Sequence, residues 1–246
     1  MKTTSRINAV NQQRRTALRA ASASLLCLLA PSAALAAAGP KVVPTGLDPL
    51  HHVILQNDYM RVMRVMIRPG QSTDFHDQRL DYVNTILKGS MSRIDLLDGT
   101  KPSQVYMGTN TIRFGDHRVH PIIDEVTNTG SAIIEQIAFE IIHTSPGQFG
   151  PSDRSGAKSF ELVLDKPMVR GWRLKLEPGE FTDRYVQSGP GLRVIIRGER
   201  VIDSPPDGIG HETKVSAGDA MFTTAANRVV TNGSNDTLEL IEYELL

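Results

Sequence analysis

Apolar and polar residues alternate with a period of two in short stretches along the chain. The clearest are Tyr59 to Ile67, Tyr82 to Leu87, Ser131 to Ile142, Trp172 to Leu176, Leu192 to Ile196 and Leu238 to Leu245. Each is rich in Val, Ile, Leu and aromatic residues, the pattern of a strand with one face toward a core. Turn formers separate them: Pro69-Gly70, Lys88-Gly89, Asp98-Gly99, Pro178-Gly179, Arg197-Gly198, Ala217-Gly218-Asp219 and Asn232-Gly233. No segment beyond the leader holds a 3.6-residue period for three turns. The pattern predicts an all-β protein of short, regularly punctuated strands.

The pattern also repeats. Arg64 to Gly70 (R-V-M-I-R-P-G) answers Arg173 to Gly179 (R-L-K-L-E-P-G) at an offset of 109 residues. Ile86-Leu87-Lys88-Gly89 answers Ile195-Ile196-Arg197-Gly198 at the same offset, and Val126-Thr127-Asn128 answers Val230-Thr231-Asn232 after a five-residue deletion. Glu140 and Glu244 each follow that Asn by twelve residues. Matched blocks in one order at so long a period predict two tandem domains of one fold, since solenoid repeats run ~20–50 residues. The domains are expected at 51–143 and 159–246, joined by a Pro/Gly/Ser-rich linker at 144–158 and preceded by an arm at 37–50.

The first 36 residues read as a cleaved signal peptide. Lys2, Arg6, Arg14, Arg15 and Arg19 form an acid-free basic start, and Ala20 to Ala36 is apolar and ends in a small-x-small site, Ala34-Leu35-Ala36. That run is short and interrupted against the ~20 apolar residues of a spanning helix. Gln13 to Arg19 also resembles a twin-arginine signal, so either export route leads to a periplasmic or secreted location. Removing those five of 27 bases leaves 22 against 27 acids. With no basic run or aromatic-interleaved basic face, nucleic acid is not an expected partner. Cys27 is the only cysteine and lies in the leader, so stability must come from cores of about 100 residues each.

The order strand, Pro-Gly turn, His-containing stretch, strand, Gly, and a later V-x-N strand resembles the cupin family, small jelly-roll barrels that occur singly or as tandem bicupins. The resemblance implies two jelly-roll barrels and, in each, a metal site of three histidines and a glutamate. Gly70 is followed by five residues and then His76, as the first motif requires. The second His place holds Gln78, the Glu place Tyr82 (beside Asp81), and the late His place Asp124. In the second repeat the four places hold Tyr185, Gln187, Gly191 and Arg228. His76, Gln78 and Asp124 are thus the candidate ligands of one Fe, Mn or Zn ion in the first domain, the alternative being that His76 and Asp124 form a hydrogen-bonded polar pair across the barrel cavity; His117 and His120 are either replacement ligands or exposed loop histidines, and the second domain is expected to hold no metal. His51 and His52 are expected at the surface, and Trp172 in the core.

Tyr82, Tyr185, Gln187 and Arg228 are candidate ligand-binding residues. An Arg fork beside neutral hydrogen-bonding groups suits a carboxylate or a sugar-like acid; the alternative is that Arg228 points to solvent from a turn or pairs with a nearby acid such as Asp219. No G-x-S-x-G, reactive cysteine or phosphate loop is present. Three readings of function follow: a small-molecule binder with little or no catalysis, a metal-dependent oxygenase or isomerase using the first domain, or an assembly protein associating through sheet edges as a homodimer.

Overall fold

The computed structural model describes residues 39–144, 149, 152, 154, 156–205 and 208–246. The leader with Cys27 lies outside them, as does most of the 144–158 segment. The first half supplies β1 (Val42–Pro44), β2 (His51–Gln56), β3 (Met60–Ile67), β4 (Phe75–Gln78), β5 (Tyr82–Lys88), β6 (Met91–Leu96), β7 (Ser103–Tyr106), β8 (Ile112–Gly115), β9 (Ile122–Asn128) and β10 (Ile134–Ile141). The second supplies β11 (Phe160–Lys166), β12 (Val169–Leu176), β13 (Tyr185–Gln187), β14 (Gly191–Arg197), β15 (Arg200–Ser204), β16 (His211–Lys214), β17 (Ala220–Thr223), β18 (Ala226–Asn232) and β19 (Leu238–Leu245). Among the described residues the helical content is one 3₁₀ turn, Thr45–Leu47.

These strands form four sheets, two per half. The first barrel pairs β1-β4-β9-β6-β7 with β2-β3-β10-β5-β8, and the second pairs β13-β18-β15-β16 with β11-β12-β19-β14-β17. Strand for strand the order is the same, apart from β1. Part of the expected arm is therefore sheet: Val42–Pro44 runs parallel to β4, with Val43 opposite His76.

The repeated motifs do backbone work. Asn128 donates its side-chain amide to the carbonyls of Ile67 and Ala132, and Asn232 donates in the same way to Leu176 and Asp236. Each thereby ties the end of β9 or β18 to the end of β3 or β12. The amides of Gly70 and Gly179 donate to the carbonyls of those same asparagines. Both glycines sit at positive φ, 78° and 77°, where a side chain would be strained. Arg64–Glu135 and Arg173–Glu239 are equivalent ion pairs on equivalent strands.

The central strands of two sheets are buried on both faces. On β3, β5 and β10 one set of alternate residues (Met60, Val62, Val83, Ile137, Phe139, Ile141) points away from the first barrel's interior, and on β12, β14 and β19 the matching set (Val169, Leu192, Val194, Ile241, Tyr243, Leu245) points away from the second's. The two sets form a single core between the barrels. Phe139 meets Tyr243 edge-on at 5.0 Å, and the Tyr243 hydroxyl hydrogen-bonds Thr85 Oγ1 at 2.7 Å. The other faces make two smaller cores, one inside each barrel. Every residue of β10 is consequently buried.

Candidate functional site

Alternation along β4 turns His76 and Gln78 inward, and register places Asp124 of β9 directly across from His76. The Gln78 amide nitrogen lies 2.6 Å from Asp124 Oδ1 and 3.1 Å from His76 Nε2; His76 Nε2 is 3.3 Å from the same carboxylate oxygen. Asp124 fixes the orientation of that amide, because an oxygen in its place would face a carboxylate at hydrogen-bond distance. The Nδ1–H tautomer of His76 then donates to the Asp74 carbonyl, 3.1 Å away, and accepts from Gln78. Gln78 Oε1 is left buried without a partner among the described residues.

His51 stands against this group, its ring edge-on to His76 at 5.0 Å and its Nδ1 2.8 Å from the Thr45 carbonyl. The expectation of a surface His51 is corrected. The first residue of β2 faces inward and is buried, while His52 faces out, as strand alternation requires. Burial and the neighbouring His76 lower the His51 pKa to about 4, so it is a neutral ring at physiological pH.

A cavity of about 200 Å³ opens between the two sheets of the first barrel. Its polar wall includes His76, Gln78, Asp124, Tyr82, Asn84, Arg113 and His117, and its apolar wall includes Ile67, Ile94, Met107, Phe114 and Val126. Asn84 and Arg113 are cross-strand partners on β5 and β8. Asn84 Oδ1 is buried without a partner, and Arg113 makes no ion pair or hydrogen bond within the described residues. His117 lines the cavity, with Nδ1 3.3 Å from the His120 carbonyl; His120 is exposed and paired with Asp116. Tyr82 lines it too. Burial, with Glu140 and Asp124 nearby, raises its hydroxyl far above the ordinary range, so it stays protonated.

The second barrel keeps the glutamine, as Gln187 for Gln78, and changes most of the other polar positions. Tyr185 replaces His76 and Arg228 replaces Asp124, again as register partners. By the registers of their strands, Arg193 stands at the place of Asn84, Asp203 at that of Ile94, Met221 at that of Arg113 and Glu242 at that of Ala138. The result is a buried charge network. Glu242 takes hydrogen bonds from the Tyr185 hydroxyl (2.9 Å), Arg193 (2.6 Å) and Arg154 (2.6 Å). Arg193 also pairs with Asp203 at 2.6 Å, and Arg228 reaches Asp203 at 3.4 Å rather than Asp219. Gln187 donates to the Gly189 carbonyl and to Thr223 Oγ1. Tyr185, Gln187 and Arg228 come together, and each is engaged by neighbours from its own barrel.

The trio His76, Gln78 and Asp124 does not fit a divalent ion as arranged. A metal needs three or four lone-pair donors converging at about 2.0–2.3 Å. Here the amide NH₂ of Gln78, a donor of protons, occupies the space between the imidazole nitrogen and the carboxylate. Tyr82 is protonated and His51 Nδ1 is engaged. Among the described residues no three of His, Cys, Asp and Glu converge. In the second barrel Arg228 places a cation where a ligand would be.

No protein-family model matches the sequence, and no curated protein matches it. Solved structures do match the fold. AerE from Microcystis aeruginosa superposes with a TM-score of 0.58 at 13% identity, over 84% of this chain and 98% of that one. Oxalate decarboxylase from Bacillus subtilis gives 0.54 at 10% identity over 76% and 68%, and that of Lactobacillus farciminis, solved as a formate complex, 0.54 at 9% over 76% and 77%. Mn(II) centres are described for the Bacillus subtilis enzyme. At such identities these likenesses establish the fold alone: two tandem jelly-roll barrels of the cupin type.

Proposed function

We propose that this chain is an exported, periplasmic binder of a small carboxylate or sugar-like acid, held in the cavity of the first barrel without metal chemistry. One observation carries the reading. Arg113, without a partner among the described residues, lines a partly apolar cavity together with two buried acceptors that also lack one there, Gln78 Oε1 and Asn84 Oδ1. A buried acceptor left unsatisfied costs about 1–3 kcal/mol, so the site favours a guest that brings O–H or N–H groups. Arg113 supplies the fork for a carboxylate. The about 200 Å³ available is below the ~300–1,000 Å³ of drug-sized pockets, so the guest is small. The basic, acid-free leader supports export.

Calorimetric titration with short hydroxy- and amino-carboxylates, uronic acids and neutral polyols tests this. Binding of a carboxylate is expected, and Arg113→Met, which installs the second barrel's Met221 counterpart, should weaken it about 30-fold, ~2 kcal/mol, with little change in melting temperature. Equal affinity in that variant, or no binding across the panel, overturns the proposal.

The His76–Asp124 pair keeps a metal-dependent oxygenase or isomerase as the second reading. Plasma mass spectrometry of mature protein purified without chelator separates the two. Background metal is expected in the wild type and in His76→Ala and Asp124→Ala alike. Near-stoichiometric metal lost in both variants would make the enzyme reading primary.

A further inference from the structure

We infer that the interior of the second barrel is a guanidinium-binding site whose resident ligand is the chain's own Arg154. This residue belongs to none of the strands. It comes from the segment between the barrels, where the repeat offset places it opposite Thr45, and Ser152 beside it hydrogen-bonds the carbonyl of Val186 on β13. The side chain runs inward until it is almost wholly buried. Its guanidinium lies 4.4 Å from the ring centre of Tyr185, 5.1 Å from that of Phe160 and 6.0 Å from that of Trp172. Its two terminal nitrogens reach Glu242 at 2.6 Å and Glu244 at 3.5 Å.

Aromatic rings around a planar cation, with two carboxylates at its edge, select guanidinium over ammonium. The guanidinium packs among the rings while its two terminal nitrogens span both acids, and a compact, strongly hydrated ammonium can do neither fully. The rest of the box is built independently of Arg154. Glu244 is fixed by the backbone amides of Ser188 and Gly189, and Glu242 by Arg193 and Tyr185. The first barrel has no such box: Thr45 stands at the place of Arg154, Ala138 at that of Glu242, His76 at that of Tyr185 and His51 at that of Phe160, while Glu140, the counterpart of Glu244, pairs with Arg61 instead. One barrel is open to a guest, and the other is filled from within its own chain.

Arg154→Ala should empty the box and leave its walls in place. In thermal denaturation this variant is expected to melt below the wild type and to recover part of the loss in millimolar methylguanidinium, whereas methylammonium at the same concentration has no effect and the wild type does not respond. Equal recovery with both cations, or none with either, overturns the assignment. Should Arg154→Ala fail to fold, Arg154→Lys decides, because it keeps the charge and most of the stem. Arg154→Lys is expected to melt well below the wild type; equal melting temperatures would overturn the assignment, because the barrel would then require only a positive charge.

Discussion

Glu242→Gln is expected to lower stability by about 3–5 kcal/mol, the cost of removing one member of a buried ion network and leaving its partners uncompensated. Arg193 and Arg154 both lie 2.6 Å from this carboxylate, and all three residues are almost fully buried. At ~2–4 °C per kcal/mol for a chain of this size, the melting temperature falls by roughly 10 °C. The pH dependence carries a signature of its own. Burial is the largest influence on Glu242 and opposes its charge, but Arg193 and Arg154 outweigh it and hold the pKa at about 2, against an ordinary 4.5. A depressed carboxyl contributes stability that is fully present above its unfolded value and is lost as pH falls toward the folded one, about 3 kcal/mol in all. Chemical denaturation from pH 6 to pH 2 should therefore show a steep loss below about pH 4.5 in the wild type and a shallower one in Glu242→Gln. Parallel curves would mean that other carboxyls dominate acid unfolding.

Phe139→Ala should cost about 3–5 kcal/mol, as a large aromatic side chain deleted from a closed core does. The informative consequence lies elsewhere in the molecule. Phe139 belongs to the first barrel, and the only tryptophan, Trp172, lies in the second. Because the residues around Phe139 form one core with Val169, Leu192, Ile241 and Tyr243, the two barrels are expected to unfold in a single transition. Trp172 fluorescence and far-ultraviolet circular dichroism should then shift together to a lower midpoint. A tryptophan midpoint that stays in place while the dichroism becomes biphasic would show that the barrels melt independently.

Much of the architecture was legible from residues that the backbone itself constrains. Gly70 and Gly179 must tolerate positive φ, and Asn128 and Asn232 must bridge the same two carbonyls, so their spacing survives in both halves. Strands with long alternating runs, such as Met60–Ile67 and Leu238–Leu245, lie close to where periodicity put them. Four-residue strands such as β8 and β17 are too short to show a period. In the first barrel, the three residues grouped by motif spacing, His76, Gln78 and Asp124, are neighbours. Arg113 and Asn84 belong to no motif and become neighbours only through cross-strand register. Carrying the 109-residue offset to Asn84 would have drawn attention to it, since its counterpart is the charged Arg193. Arg154 was hidden by its setting, a Pro/Gly/Ser-rich stretch whose composition reads as a tether. His51 was misread because a His-His pair at a strand start sends one ring to each face.

The asparagine ties at the strand ends have a consequence for how such a molecule can change. They brace the rim of each barrel through main-chain carbonyls, with no help from the residues that point inward. Shape and lining are therefore separable properties. That is how one half can house His76, Asn84, Arg113 and Asp124 and the other Tyr185, Arg193, Met221 and Arg228 on the same strand order. A chain built this way can acquire, lose or wall up a chamber by substitution at a few inward positions while its outline stays the same.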